Sequence, residues 1–350
     1  MAAEGFGAST TGMSKTFSAT QGESLPGKAA FRGRFDSVAR YRPAAGFQEK
    51  VKALLAELEQ PPPVLGNEEQ RASRTAVVDH AHRALAELHR AEASAALRQG
   101  RSEEAVSAAR TALKFTLRIH GEGAIEIVPA YLLLAEATLA LGRHSQVQEL
   151  LSMANWTVVR AGGRVPNELR SAMHRNFGKL YAAQGKLEEA LTELARDAYY
   201  ASLQVGPDHI DATTPYFHMA SIFMAQDNTE AALAFFDRVV DSWFKYLLAA
   251  TSAGDAASSV PSAQLQAASN MLHVVATSRR QLLGEEHVAV GEAFFTLALL
   301  HAWQGQHAEA QGHGEQALGV YRGAFGDDHG STADVLALVQ QQQEAVDTAE

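Results

Sequence analysis

The fourteen histidines are the residues with the widest chemical range in this chain, and their spacing decides what they can do. His80 and His82 stand two apart, so on a helix they face different ways. His301, His307 and His313 recur six residues apart, but no carboxylates frame them as ligands, and no bound metal is expected. His209, His287 and His329 close one repeated pattern: Gly206-Pro207-Asp208-His209, Gly284-Glu285-Glu286-His287 and Gly326-Asp327-Asp328-His329. A residue that recurs at equivalent places has a structural task, here a hydrogen bond in the loop that opens the next helix. Cysteine is absent, so disulfides and thiolate metal sites are excluded. Gly121-Glu122-Gly123 is a lone G-x-G without the strand a dinucleotide site needs. The P-loop, G-x-S-x-G, H-E-x-x-H and EF-hand patterns do not occur. No catalytic residue, cofactor or metal is expected, and the chemistry left is recognition.

Recognition needs elements to present it, and the clearest is Ile125 to Arg160. Two apolar-periodic runs flank Leu141-Gly142-Arg143, and Gly142 suits a turn other residues adopt only with strain. Pro129 fits a first helical turn. Tyr131, Leu134, Ala135 and Thr138 share one face, and Val147, Leu150, Leu151 and Ala154 another. Such a hairpin cannot bury its outer faces alone, and the chain supplies copies to stack on it. Gln99-Gly100-Arg101, Gln184-Gly185-Lys186, Gln226-Asp227-Asn228 and Gln304-Gly305-Gln306 sit in the same place between paired runs. Turn positions 100, 142, 185, 227 and 305 are separated by 42, 43, 42 and 78 residues, the last gap holding one irregular repeat. Five residues after each turn lie Ala105, Val147, Ala190, Ala232 and Ala310; seven before it lie Ala93, Ala135, Gly178, Ala220 and Ala298. Small residues at these places resemble the tetratricopeptide (TPR) repeat, most closely at Phe177-Gly178-Lys179-Leu180-Tyr181 with Gly185 and Ala190. The step of 42 with its G-x-x-H loop is similar to the long TPR variant of kinesin light chains. The expected fold is an all-α, helix-turn-helix superhelical solenoid.

Composition agrees. At 350 residues and 46% hydrophobic, the chain can bury a sizeable core, and ten prolines leave long helices intact. No apolar run approaches the ~20 residues of a membrane span. The opening MAAEGFGAST has neither a charged nor an apolar signal region, so no membrane partner or export is expected. Net charge is −10, and residues 251–350 carry 3 Arg/Lys against 12 Asp/Glu, making one end acidic. That end reads as a solvated cap or as a face for a basic partner.

Along the chain, residues 1–46 read as a basic, Gly/Ser-rich tail expected to be disordered alone. Phe31, Arg32, Arg34, Phe35, Arg40, Tyr41 and Arg42 interleave aromatics with cations and are candidate anchors on a partner or an acidic surface such as a microtubule. Nucleic acid is not expected, because no basic folded face backs the tail. Residues 47–66 read as a short amphipathic helix, Phe47 to Gln60, and a Pro61-Pro62-Pro63 linker. The solenoid follows over 67–350, opened by Asn67 as a helix cap. Its units are about 82–120, 125–160, 167–205, 211–250 and 288–325, with a degenerate one at 262–283 and a capping helix at 331–346. A loop is expected over Ala249–Ser262, and Gly314 is a place where another helix can pack closely.

The inner face of a TPR array usually binds partners. By repeat position it presents Arg90 and Ser94, then Leu132, Leu133 and Glu136, then Arg175, Asn176 and Lys179, then Phe217, His218 and Ser221. This mixture suits a helix or an extended segment. Only Asn176 matches the Lys/Asn pattern of a chaperone carboxylate clamp, so that activity is not expected.

Three stretches resemble one family more particularly: IHGEGAIEIVPAYLLLAEATLALGRHSQVQELLSMANWTV (119–158), HRNFGKLYAAQGKLEEALTELARDAYYAS (174–202) and YFHMASIF (216–223). They are similar to axonemal TPR proteins whose animal members carry an N-terminal MYND zinc finger. Flagellate members include the 38-kDa subunit of inner-arm dynein d; the mass here is 37.5 kDa. The zinc finger needs cysteines, so that module is not carried over. The resemblance implies a non-enzymatic docking subunit in the ciliary axoneme, present in cytoplasm before assembly. It implies as partners a second axonemal TPR protein and the dynein d heavy chain with its actin and light-chain complex. The alternative is a cytosolic cargo or dynein-assembly adaptor of the kinesin-light-chain type.

Overall fold

The computed structural model describes residues 46–59, 67–253 and 260–349. The chain divides into residues 1–40 and 41–350, and every described residue falls in the second unit. The tail candidates Phe31, Arg32, Arg34, Phe35, Arg40, Tyr41 and Arg42, and the Pro61–Pro63 linker, lie outside the described residues.

Thirteen α-helices and three short 3-10 turns make up the described secondary structure. They are α1 (Phe47–Glu59), α2 (Glu68–Arg98), α3 (Ser102–His120), α4 (Val128–Ala140), α5 (His144–Ala161), α6 (Asn167–Ala183) and α7 (Leu187–Val205). There follow α8 (Thr213–Ala225), α9 (Thr229–Ala253), α10 (Ser262–Leu283), α11 (Val288–Trp303), α12 (His307–Phe325) and α13 (Gly330–Ala349). The pairs α2/α3, α4/α5, α6/α7, α8/α9 and α11/α12 pack as helical hairpins, and each also packs on the next. The architecture is an all-α solenoid of TPR type.

One turn geometry makes all five hairpins. Gly100, Gly142, Gly185 and Gly305 have φ of 71°, 70°, 78° and 72°, and Asp227 takes the same left-handed region at 58°. In each the residue after the turn donates its N–H to the carbonyl five positions back, as Lys186 does to Tyr181 at 2.9 Å and Gln306 to His301 at 2.9 Å. Each glycine or aspartate donates three positions back. These paired bonds use carbonyls that a helix end otherwise leaves without partners.

The small positions lie where the hairpin helices touch. Ala93, Ala135, Ala220 and Ala298 are fully buried, as are Ala105, Ala190, Ala232 and Ala310. Gly178 marks the tightest approach: a Cβ there would sit 2.7 Å from Leu194 Cγ. Gly314 does the same for the last helix, since its Cβ would meet Val339 of α13 at 2.7 Å. The core falls into clusters: two are shared between neighbouring units, over α2–α4 and α4–α6, and the largest runs continuously from Ala190 of α7 to Val335 of α13.

At the N-terminal end Asn67 and Gln70 form a reciprocal capping box on α2. Val51, Leu54 and Leu58 of α1 pack on Leu85 and Phe115. Arg74 of α2 donates to the Glu57 carbonyl at 2.7 Å and the Leu58 carbonyl at 3.3 Å, so it closes the C-terminus of α1.

The irregular region differs in one detail from expectation. α9 runs on to Ala253, past Ala249 where a loop was expected. Tyr246, Leu247 and Ala250 remain packed, and Leu247 is fully buried. α10 ends at Gly284 (φ 91°) and is followed by the His287 loop, as α7 and α12 end at Gly206 and Gly326. α10 therefore ends as the second helix of a hairpin does, without a first helix of its own among the described residues, and it packs on α11. Arg279 ties it in: Nη1 donates to the Ala289 carbonyl at 2.6 Å and Nη2 pairs with Asp237 of α9.

Candidate protein-docking site

The first helices of three successive units, α4, α6 and α8, carry the residues expected to face a partner. Their register comes from the repeat itself, which sets Glu136 beside Lys179 although 43 residues separate them. Lys179 Nζ donates to Glu136 Oε1 at 2.8 Å. Lys179 holds the Glu136 carboxyl below the usual carboxylate range against the opposing effect of burial, with Arg175 adding to it. His218 of α8 lies within the field of the same two cations. Burial pushes its imidazole well below the usual range, and Lys179 and Arg175 push it the same way. His218 is therefore neutral at pH 7 and offers one donor and one acceptor. Glu136, Arg175, Lys179 and His218 thus come together across three repeats.

Arg175 has a second commitment. Its Nε and Nη2 donate to the two carboxylate oxygens of Asp197 on α7 at 2.9 and 3.1 Å, and Asp197 also accepts from Ser171. Asp197 is fully buried. Its signal in the sequence was an acid on the apolar stripe Ala190, Leu194, Asp197, a position that demands a cation. Arg175, expected on the partner-facing side, is thus partly buried as the counter-ion of a buried carboxylate. Each of the two cations is thus paired with a carboxylate, and the imidazole beside them is neutral.

Other expected residues are placed differently. Leu132 is a core residue, packed with Val147, Leu151 and Met173 and only 5% exposed. Leu133 is half-buried against the first-unit cluster. The helix segment VPAYLLLAEATLA is apolar on nearly every side, so residue type could not say which leucine faces out. Asn176 is buried and its amide donates to the Ala172 carbonyl of its own helix at 2.9 Å. Phe217 is half-buried beside Phe236 and His218, with ring centroids 6.5 and 5.7 Å away. Ser221 Oγ donates to the Phe217 carbonyl at 2.9 Å. Of the unit-one pair, Arg90 is exposed and pairs with Glu87 on its own helix, and Ser94 is half-buried.

The repeated histidines are helix caps. Nδ1 of His209, His287 and His329 accepts the backbone N–H two residues on, from Asp211 at 3.3 Å, Ala289 at 3.2 Å and Ser331 at 3.2 Å. His301 and His313 bring their rings within 5.2 Å, with His273 6.2 Å from His313. His301 is occupied by Ser269 and Gln306, and His307 by Gln342. Among the described residues no group of three or more His, Asp or Glu is arranged to hold a metal ion. No described helix is long and apolar enough to cross a membrane.

Comparison with known proteins agrees with the repeat geometry at one unit. Residues 296–330 match the family model described as a tetratricopeptide repeat, which spans the end of α11, all of α12 and the loop after it. Among solved structures, the chain is similar to a Podosopora anserina putative kinesin light chain with nearly identical TPR-like repeats. The identity is 18%, over 69% of this chain and 96% of that one, with a TM-score of 0.37. It is also similar to BtubC (BKLC) from P. vanneervenii, at 14% identity over 70% and 84% of the two chains, TM-score 0.36. The apo form of RapI matches at 13% identity over 79% and 97%, TM-score 0.40.

Proposed function

We propose that this chain is a non-enzymatic scaffold subunit that holds protein partners along its TPR helices, and that it serves the inner-arm dynein d of the ciliary axoneme. The scaffold reading is carried by the polar row Glu136, Lys179 and His218, which crosses three first helices without closing into a catalytic set. The ciliary reading is supported by the resemblance of residues 119–158, 174–202 and 216–223 to axonemal TPR proteins. Its partners are then a second axonemal TPR protein and the dynein d heavy chain with its actin and light-chain complex. The 1–46 segment supplies a basic contact to the doublet microtubule.

The test is to tag the protein in a ciliated cell, isolate axonemes and extract them with graded salt. Co-elution with dynein d and another TPR protein is the expected result. Intact inner arms in a strain lacking the protein would overturn the assignment. The 42-residue repeat with its G-x-x-H loop favours a second reading, a cytosolic adaptor of the kinesin-light-chain type. Recovery in the cell-body fraction with kinesin or with dynein-assembly factors would move the function there.

A further inference from the structure

On the side of α6 opposite Lys179, an open cleft of about 560 Å³ runs between α5 and α7. Its floor is Met173, His174, Phe177 and Tyr181 of α6. Trp156 and Val159 of α5 form one wall, and they are 58% and 69% exposed. On α7 the neighbouring Tyr199 is 58% exposed and meets Tyr200 edge-on. Large apolar side chains left this open mark interaction surfaces. Trp, Tyr and Arg are also the residues that most often anchor them.

The charges around the cleft state what would cover it. Three cations each lie over an aromatic face: Arg160 over Trp156 at 5.1 Å, Arg170 over Tyr200 at 5.7 Å and Lys186 over Tyr181 at 5.8 Å. Arg170 also donates to the Gly162 carbonyl. None of the three has a carboxylate partner among the described residues. The cleft's own carboxylate is used up, since Glu193 binds His174 at 2.7 Å and Arg196 at 2.6 Å. A chain of net charge −10 thus carries a cleft lined by both apolar and polar side chains, with three cations held over aromatic rings at and beside it. We propose that this cleft is a second docking surface, which takes an acidic segment of a partner protein. Phe- or Leu-type anchors of that segment fill the Trp156 side, and its carboxylates meet Arg160, Arg170 and Lys186. With the α4–α6–α8 face on the other side of α6, the same unit can then hold two partners at once. The ring-stacked cations are pre-ordered, which lowers the entropic cost of pairing.

The probes are three fluorescein-labelled 16-residue peptides read by anisotropy against the purified full chain. The first interleaves Glu with Phe and Leu, the second has Lys for every Glu, and the third has Ser for every Phe and Leu. The first should bind, weaken on raising salt, and bind at least tenfold more tightly than either of the others. Arg160→Gln with Arg170→Gln and Lys186→Gln should weaken it tenfold or more. Because Arg170 also holds loop carbonyls, Trp156→Ala with Arg160→Gln provides an independent variant of unchanged circular dichroism, with the same expected loss. Lys245→Gln, a cation outside the cleft, should change nothing. Absence of binding by the first peptide, equal binding by the Lys peptide, or unchanged affinity in both cleft variants overturns the proposal. The assay needs only the isolated chain, so failure of the ciliary assignment would leave it unaffected.

Discussion

Arg175 and Lys179 stand one helical turn apart and carry the same charge, yet they do different work. Removing Arg175 strands the Asp197 carboxylate inside the fold, and an unpaired buried charge costs about 3–5 kcal/mol. Arg175→Gln should therefore lower the thermal midpoint steeply. Lys179→Gln breaks a partly exposed pair and should cost about 1 kcal/mol or less. It is the cleaner probe of partner binding, which it should weaken with the fold intact. Equal stability losses in the two variants would contradict the assigned roles. Glycines divide in the same way. Gly178→Leu drives a side chain into Leu194 and should cost about 1–3 kcal/mol. Gly312, with nothing within 4 Å of a built Cβ and a helical backbone, should gain about 1 kcal/mol on change to Ala. Denaturant melts of both variants check the sign. These contrasts were half legible in the sequence. The small positions followed from the repeat period, but Arg175 looked like a surface cation because its partner lies 22 residues on.

At the scale of the element, the hairpin turn is the unit that repeats. Asp227 is the one described non-glycine residue with positive φ, and it stands where four other turns have glycine. A left-handed backbone costs a residue with a Cβ roughly 1–2 kcal/mol, less for aspartate. Asp227→Gly should thus raise stability by up to about 1 kcal/mol, and a fall in the thermal midpoint would show that the aspartate side chain is itself needed. The G-x-x-H loops are the second repeated device, and His287→Ala should cost roughly 0.5–1.5 kcal/mol by losing the bond to the Ala289 N–H. The same loop explains the irregular region. The sequence showed 262–283 only as a degenerate unit, and the structure shows that it ends, at Gly284 and His287, as the second helices of the hairpins do.

At the scale of the whole molecule, burial of imidazoles makes stability depend on pH. His82, His89, His218 and His313 all have lowered values, burial being the largest cause in each, and His313 falls to about 4. The groups around His313 are His301, His273 and Glu309, with Arg280 across the Phe294 ring on which it stacks. A histidine kept neutral by the fold takes up its proton more readily unfolded. Stability is then fully present above the unfolded value near 6.5 and is lost as pH falls toward 4. The thermal midpoint should drop between pH 7 and pH 4.5, and His313→Phe should flatten that drop. A midpoint constant over this range would argue that these rings are solvated. Because His313 stacks on Phe294 of the C-terminal core cluster, acid should loosen the α10–α12 end before the α4–α6 region, whose core cluster is a separate one.

The sequence by itself determined the repeat: its period, the glycine at each turn, the small residues at each helix crossing and the histidine caps. These follow from local backbone geometry and from contacts that recur at a constant spacing, which a single chain displays openly. It could not say which leucine of α4 faces inward, because that helix has no polar side to orient it, and Leu132 went to the core. Nor could it pair Arg175 with Asp197, join Glu136 to Lys179, or gather Trp156, Phe177 and Tyr181 around one cleft. Those arrangements depend on the angle and offset at which successive hairpins stack. The side chains of several helices set that angle together, and only the tertiary structure decided it.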